Sequence, residues 1–148
     1  MNPKPASDFT LKDQNGSYFT LSENIKKYTL LVFYPKDNSF VCTKQLCDYN
    51  ENIGKFLNKD IQVVGINPGK QNSHSEFSGK YNFNFPLLSD YKGTVAKKYN
   101  ASGILGGTKR KLVLINKEMN IIYEDNIYSL FYKTAGDILN LKILKSAK

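Results

Sequence analysis

Residues 30–47 join a short apolar run to an amphipathic helix, so the chain must fold with a strand that leads directly into a helix. Residues 30–34 form a short apolar run that is rich in β-forming side chains, which predicts a buried strand. Pro35 ends that strand because it has no N–H to donate to a neighbouring strand. Ser39 is expected at the N-cap of the helix, where its hydroxyl can accept from a free N–H of the first turn. The helix is predicted from an apolar stripe at every third or fourth residue: Cys42, Leu46, Tyr49, Ile53 and Phe56.

The rest of the chain alternates strand and helix patterns. Buried strands are predicted at residues 61–67 and 112–115, and a hairpin at residues 8–21 around Asn15-Gly16, a strong hairpin dipeptide. A short strand at 85–90, a strand at 120–124 and helices at 70–81, 95–99 and 131–144 complete the pattern. This order predicts a single α/β domain over residues 1–148 with a thioredoxin-like fold. We expect a central mixed sheet flanked by helices, with an N-terminal β-hairpin.

Cys42 lies in the first turn of the predicted helix, a position that favours a reactive thiol. The thiolate is the reactive form of cysteine, and the free N–H groups and dipole of a helix N-terminus stabilise it. A second interpretation is that Cys42 is a small hydrophobic residue of the core, as free cysteines often are. The residues by themselves leave both interpretations open.

Cys47 follows five residues later in the same predicted helix. Five residues correspond to ~140° around the axis and ~7.5 Å along it, so the two Cα atoms lie ~8–9 Å apart. A disulfide needs Cα atoms within about 7 Å. The two sulfurs therefore cannot bond while the helix is intact, and a bond between them would require at least one turn to unwind. Two unrelated buried thiols remain the alternative.

The net charge of +8 suggests nucleic-acid binding as one possible function. The lysines, however, form small scattered clusters, and the aromatic residues lie inside apolar patterns rather than between the lysines. We therefore expect a solvated lysine surface and no nucleic-acid partner, with a basic nucleic-acid-binding module as an alternative. Among the 21 basic residues Arg110 is the only arginine. Because a guanidinium offers a planar fork of donors and a permanent charge, Arg110 is a candidate functional residue.

Several further classes find no support in the sequence. No apolar run approaches the ~20 residues of a membrane span, and the first residues lack the apolar region of a secretory signal. We therefore expect a cytoplasmic protein without membrane contact, whose cysteines are catalytic or redox-sensing. One histidine and two cysteines make a poor zinc set and no phosphate-binding loop is present, so no metal or cofactor is expected. His74, the only histidine, is expected to be a packed, hydrogen-bonded structural residue.

The cysteine segment resembles a known family. Pro35, Ser39 and Cys42 match the Pro-x-x-x-Thr/Ser-x-x-Cys signature of peroxiredoxins. The second cysteine five residues later is similar to the bacterioferritin-comigratory-protein, or peroxiredoxin Q, branch. Residues 85–90, Phe-Pro-Leu-Leu-Ser-Asp, also resemble this branch, and Arg110 occupies the place of its active-site arginine.

The resemblance implies a thiol peroxidase that reduces hydrogen peroxide and organic hydroperoxides. Cys42 would be the peroxidatic cysteine and Cys47 the resolving cysteine in the same helix. Ser39 and Arg110 would act on the peroxide oxygens and the thiolate, and Pro35 would shield the oxidised sulfur from water. Thioredoxin or a glutaredoxin-type dithiol would be the reductant, and a monomer is expected because this branch is often monomeric.

Two departures from the branch lie beside the reactive cysteine. Phe40-Val41 stands where Pro-Gly is usual, which affects the flexibility of the loop and the access of substrate. Gln45 stands where a glutamate is frequent. A thiol-disulfide oxidoreductase on the same fold is the alternative enzyme, although that class typically uses Cys-x-x-Cys and here four residues separate the cysteines.

Overall fold

The described part of the chain forms one eight-stranded mixed sheet. The computed structural model describes residues 4–103, 107–126 and 132–146. The strands are β1 (Lys4–Pro5), β2 (Thr10–Lys12), β3 (Tyr18–Thr20), β4 (Tyr28–Phe33), β5 (Ile61–Asn67), β6 (Leu87–Ser89), β7 (Lys111–Asn116) and β8 (Asn120–Asn126). Across the sheet their order is β1-β8-β7-β4-β5-β6-β2-β3. Strands β4, β5 and β6 run parallel, and the other neighbouring pairs are antiparallel.

Strand β4 lies in the interior of the sheet and is buried on both faces. All six of its residues are buried, which explains the apolar run over residues 30–33. Because successive side chains point to opposite faces, Leu30 and Val32 join one core cluster while Leu31 and Phe33 join the other. The predicted mixed sheet and the predicted hairpin of β2 and β3 are confirmed.

Helices cover both faces of the sheet. The first cluster takes apolar side chains from α1 (Phe40–Glu51), α2 (Ile53–Asn58), α3 (Gln71–Tyr81), α5 (Ala135–Leu139) and α6 (Lys142–Ser146). The second cluster takes them from α4 (Thr94–Lys98) and from the segment around the N-terminal hairpin. None of the helices in the described ranges is long and apolar enough to cross a membrane.

Two predicted helices are each divided in the structure. The stripe from Cys42 to Phe56 spans both α1 and α2, which are separated at Asn52, and the helix predicted at 131–144 is divided at Asn140 into α5 and α6. Residue 131, where that prediction begins, lies outside the described residues. At each break the asparagine amide donates to the carbonyl four residues earlier, at 2.8 Å for Asn52 and 2.9 Å for Asn140. Such side-chain bonds compete with the helical ladder, and the apolar period does not reveal them.

Candidate active site

Separate parts of the chain meet at the C-terminal end of β4. A turn over residues 34–39 follows the strand, and α1 begins at Phe40. Strand β7 runs antiparallel to β4, and Lys111 at its start pairs with Phe33 at the end of β4. This register places Arg110, the residue before β7, beside the turn that leads into α1.

The sulfur of Cys42 contacts the guanidinium of Arg110. Nη2 of Arg110 donates to Sγ of Cys42 at 3.3 Å, and Nη1 donates to Oε1 of Gln45 at 2.6 Å. Cys42 has no exposed surface, and Arg110 is 2% exposed. In such a water-poor setting a fixed cation stabilises a nearby anion more strongly than it would in water. Cys42 thus lies in the core, as the second interpretation expected, and also contacts the only arginine of the chain.

Ser39 occupies the predicted N-cap position, but its side chain bonds differently from the prediction. Its backbone is extended, and the N–H of Thr43 donates to its carbonyl at 2.8 Å as the first bond of α1. The hydroxyl does not cap the helix; it donates to the carbonyl oxygen of Lys36 at 3.0 Å, within the turn. The N–H groups of Val41 and Cys42 therefore precede the helical ladder, at the positive end of the helix dipole.

Pro35 follows the last residue of β4 by two positions and is half-buried. The strand itself ends at Phe33, although the N–H of Tyr34 still donates to the carbonyl of Ile66 at 3.1 Å. Pro35 has no N–H to continue this pairing, so the chain leaves the sheet here.

Cys47 lies in α1 but faces away from Cys42. Both cysteines are free thiols; Cys42 is buried and Cys47 is half-buried. Burial raises the pKa of the Cys47 thiol, and the nearby carboxylate of Glu51 raises it further. Since α1 is continuous from Phe40 to Glu51, the two sulfurs cannot bond in this conformation.

A chain of hydrogen bonds holds Arg110 in place, and the sequence analysis did not find it. Gln45, buried in α1, accepts from Arg110 and donates through Nε2 to the hydroxyl of Tyr49 at 3.0 Å. The Tyr49 hydroxyl in turn donates to the carbonyl of Lys133 at 2.6 Å. The available signal was the spacing: Gln45 follows Cys42 by three residues, which puts both on one side of a helix.

A second network, also missed, surrounds the carboxylate of Asp37 in the turn before α1. Tyr34 donates its hydroxyl to this carboxylate, and Asn67, Ser73 and His74 also contact it. His74 is fully buried, and its other ring nitrogen lies 3.2 Å from the carbonyl oxygen of Leu88. This is the environment expected of a packed, hydrogen-bonded histidine. The sequence pattern places residue 37 only between the predicted strand and the predicted helix.

A groove of about 910 Å³ lies at the other end of β4, beside Tyr28. Its lining contains Ile61 at the start of β5 and Asn116 at the end of β7, and none of the residues around Cys42. The thiol of Cys42 therefore does not lie in this groove. In the described ranges no group of three or more His, Cys, Asp or Glu side chains is placed to hold a metal ion.

The fold and the cysteine–arginine contact together define a thioredoxin-like α/β protein with a buried thiol at a helix start. The profile of the AhpC/TSA family matches residues 3–124, and the chain belongs to that family of peroxiredoxins. It is similar to chloroplastic peroxiredoxin Q of Arabidopsis thaliana, with 35% identity over 127 residues, and to peroxiredoxin Bcp of Bacillus subtilis, with 34% identity over 126 residues.

The coverage of these relatives differs. The alignment with the Arabidopsis protein covers 86% of this chain and 56% of the relative, so the chain spans little more than half of that protein's length. With the Bacillus protein it covers 80% of each chain. The fold is similar to that of the crystal structure of peroxidoxin BcpB from Mycobacterium tuberculosis, with a TM-score of 0.81, 29% identity and coverage of 97% of this chain and 93% of that one.

Proposed function

We propose that this chain is a thiol peroxidase that reduces hydrogen peroxide and organic hydroperoxides through Cys42. The observation that carries the proposal is the contact of 3.3 Å between Sγ of Cys42 and the buried guanidinium of Arg110 at the start of α1. The membership of the AhpC/TSA family supports the same chemistry.

The first step transfers one oxygen atom to Cys42. The thiolate attacks one oxygen of the hydroperoxide, the O–O bond breaks, and an S–O bond forms. The attacked oxygen keeps one hydrogen as the sulfur is oxidised by two electrons to a sulfenic acid. The other oxygen leaves as hydroxide or alkoxide and takes one proton from the solvent, equal to the proton that Cys42 lost on ionising, to give water or an alcohol. Negative charge moves from the sulfur to the leaving oxygen, so the fixed charge of Arg110 stabilises the transition state along the whole path.

The turn before α1 supplies the remaining groups. Ser39 donates its hydroxyl hydrogen to Lys36, so the lone pairs of its oxygen remain available to accept the peroxide proton. The N–H groups of Val41 and Cys42, ahead of the helical ladder, donate to the peroxide oxygens. Pro35, half-buried beside the turn, shields the sulfenic acid from water.

The second step forms a disulfide with Cys47. The Cys47 thiol attacks the sulfenic sulfur, an S–S bond forms, and the oxygen leaves as water. Because the cysteines face different sides of one helix, α1 must open locally between them first. A dithiol protein of the thioredoxin or glutaredoxin type then reduces the disulfide by exchange and is itself oxidised.

The same proposal includes the organisation of the protein. The described strands all belong to one sheet, which supports a single domain over residues 1–148. The proposed disulfide joins two cysteines of one chain and needs no second copy, and the proposal includes a monomer because the branch that the chain resembles is often monomeric. A reducing cytoplasm would keep both cysteines as thiols between cycles.

Two cysteine variants test the mechanism. With reduced protein, Cys42→Ser should not consume hydrogen peroxide, because the attacking sulfur is absent. Cys47→Ser should consume one equivalent per molecule and then stop, even with thioredoxin, its reductase and NADPH present. Intact mass should show two hydrogens lost per wild-type molecule after one equivalent of peroxide. Normal thioredoxin-coupled cycling of Cys47→Ser would disprove the resolving role, and insulin reduction without peroxide consumption by the wild type would favour the oxidoreductase alternative.

A further inference from the structure

The turn between β4 and α1 is fastened to the rest of the protein through one buried carboxylate. Asp37 is 6% exposed and belongs to that turn. Its Oδ1 accepts from the hydroxyl of Tyr34 at 2.7 Å and from Nδ2 of Asn67 at 3.1 Å. Its Oδ2 accepts from Oγ of Ser73 at 2.6 Å and lies 2.6 Å from Nδ1 of His74. Asp37 therefore connects the turn to the end of β5 and to the first turns of α3.

These partners favour an ionised carboxylate. Burial opposes the ionisation of Asp37, but the hydrogen bonds from His74 and Ser73 outweigh it and lower the pKa of the carboxyl group. Four side chains thus converge on a charged acceptor, and such hydrogen bonds are stronger than those between neutral groups.

Hydrogen bonds to the start of α5 and to the segment before it also hold the C-terminal part of α1. The carboxylate of Asp48 accepts from the N–H of Ala135 at 2.8 Å, and the hydroxyl of Tyr49 donates to the carbonyl of Lys133. The segment between the two attachments, residues 38–47, contains both cysteines. It begins with Asn38, whose φ of 61° marks a sharp change of chain direction directly after Asp37.

We propose that Asp37, held by His74 and Ser73, is a positioning residue. By fixing the turn before α1 it opposes the local opening of the helix that must precede the attack of Cys47. The inference rests on the proposed function and deepens it. Asp37 fixes the segment from which the first turn of α1 starts. When that segment is free, re-forming the first helical turn requires the unfavourable nucleation step. Releasing Asp37 therefore lowers the cost of opening, and the step that requires opening becomes faster.

The test measures disulfide formation separately from peroxide reduction. Reduced full-length protein is mixed with one equivalent of hydrogen peroxide, quenched at intervals with a thiol-alkylating reagent, and analysed by intact mass for sulfenic acid and disulfide. In Asp37→Asn an NH₂ group replaces one carboxylate oxygen. It cannot accept the hydrogen bonds that the oxygen accepted, so part of the network is lost. We expect the sulfenic acid to convert to the disulfide about tenfold faster than in the wild type, since a hydrogen bond to a charged group contributes roughly the free energy of a tenfold change.

The matched control is Asp90→Asn. Asp90 is also buried, and its carboxylate accepts from the N–H groups of Val95 and Ala96 at the start of α4 and not from the side chains that hold Asp37. This variant should lose thermal stability without changing the rate of disulfide formation. If Asp37→Asn forms the disulfide at the wild-type rate or more slowly, or if Asp90→Asn accelerates it as much, the proposal is overturned.

A milder variant covers the case in which Asp37→Asn does not fold. Ser73→Ala removes one donor to Asp37 from a half-buried position on α3. It should accelerate the same step in the same direction by a smaller factor, and an unchanged rate would overturn the proposal. A failure of the proposed function itself is distinct, because wild-type protein would then form neither sulfenic acid nor disulfide.

Discussion

Replacing Arg110 by methionine tests the charge contact at Cys42 directly. Methionine fills much of the same buried volume and removes the guanidinium that lies 3.3 Å from the sulfur. Coulomb's law with an effective dielectric constant of about 20 gives roughly 5 kcal/mol at that separation as an upper limit. The loss of one preorganised donor typically raises a barrier by about 3–4 kcal/mol. We therefore expect the second-order rate constant with hydrogen peroxide to fall about 10²- to 10³-fold.

Two further variants separate charge from geometry. Arg110→Lys keeps the cation, but one ammonium group does not reproduce the fork that reaches Cys42 and Gln45 together, so we expect a loss of about tenfold. Lys111→Met removes the adjacent buried cation, which bonds to the carbonyl of Tyr99 and to the carboxylate of Glu124 instead. Because the ammonium of Lys111 bonds to these two groups and not to Cys42 or Gln45, this control should leave the rate within about threefold of the wild type.

The assay is stopped-flow oxidation of the reduced protein by hydrogen peroxide at pH 7, with circular dichroism and thermal unfolding to establish that each variant is folded. We expect the rate constants to fall in the order wild type, Lys111→Met, Arg110→Lys, Arg110→Met. A folded Arg110→Met protein that reacts within threefold of the wild type would refute the role of the guanidinium. So would an equal loss of rate in Lys111→Met.

Two stability predictions follow from single contacts. The carboxylate of Glu124 accepts a hydrogen bond of 2.9 Å from each of two lysine ammonium groups. Burial raises the pKa of this carboxyl group, but the two bonds outweigh burial and lower the pKa below 4.5. Glu124→Gln should cost about 1 kcal/mol of unfolding free energy at pH 7, a difference that shrinks as the pH falls below 4.5, and equal differences at pH 7 and pH 3 would contradict this. A Cβ on Gly69 would lie 3.0 Å from both Asn67 Oδ1 and His74 Cε1, so Gly69→Ala should cost about 1–3 kcal/mol in urea unfolding. Gly79→Ala, with open space around the new Cβ in α3, is the control and should not destabilise.

The apolar pattern was sufficient for the layers of the fold. The interior strands β4, β5 and β7 each contain an uninterrupted apolar run because both of their faces are covered, and these runs can be recognised from the residues alone. The hairpin was equally local, since Asn15-Gly16 specifies a tight turn and Gly16 adopts the expected φ of 82°. The breaks at Asn52 and Asn140 were not predictable from period, because they depend on side-chain bonds to backbone carbonyls.

The sequence by itself determined a strand, a turn and a helix that carries Cys42 in its first turn, since these features depend on neighbours along the chain. Arg110 was a candidate as the only arginine of the sequence, and the resemblance to peroxiredoxins supported it. Only the tertiary structure decided that Arg110 contacts Cys42, because that contact depends on the register between β4 and β7. The same holds for Asp37, whose partners come from β5 and α3 and meet it only when the sheet has formed. Local patterns report which face of an element is buried, whereas hydrogen bonds between distant residues exist only after the elements have packed.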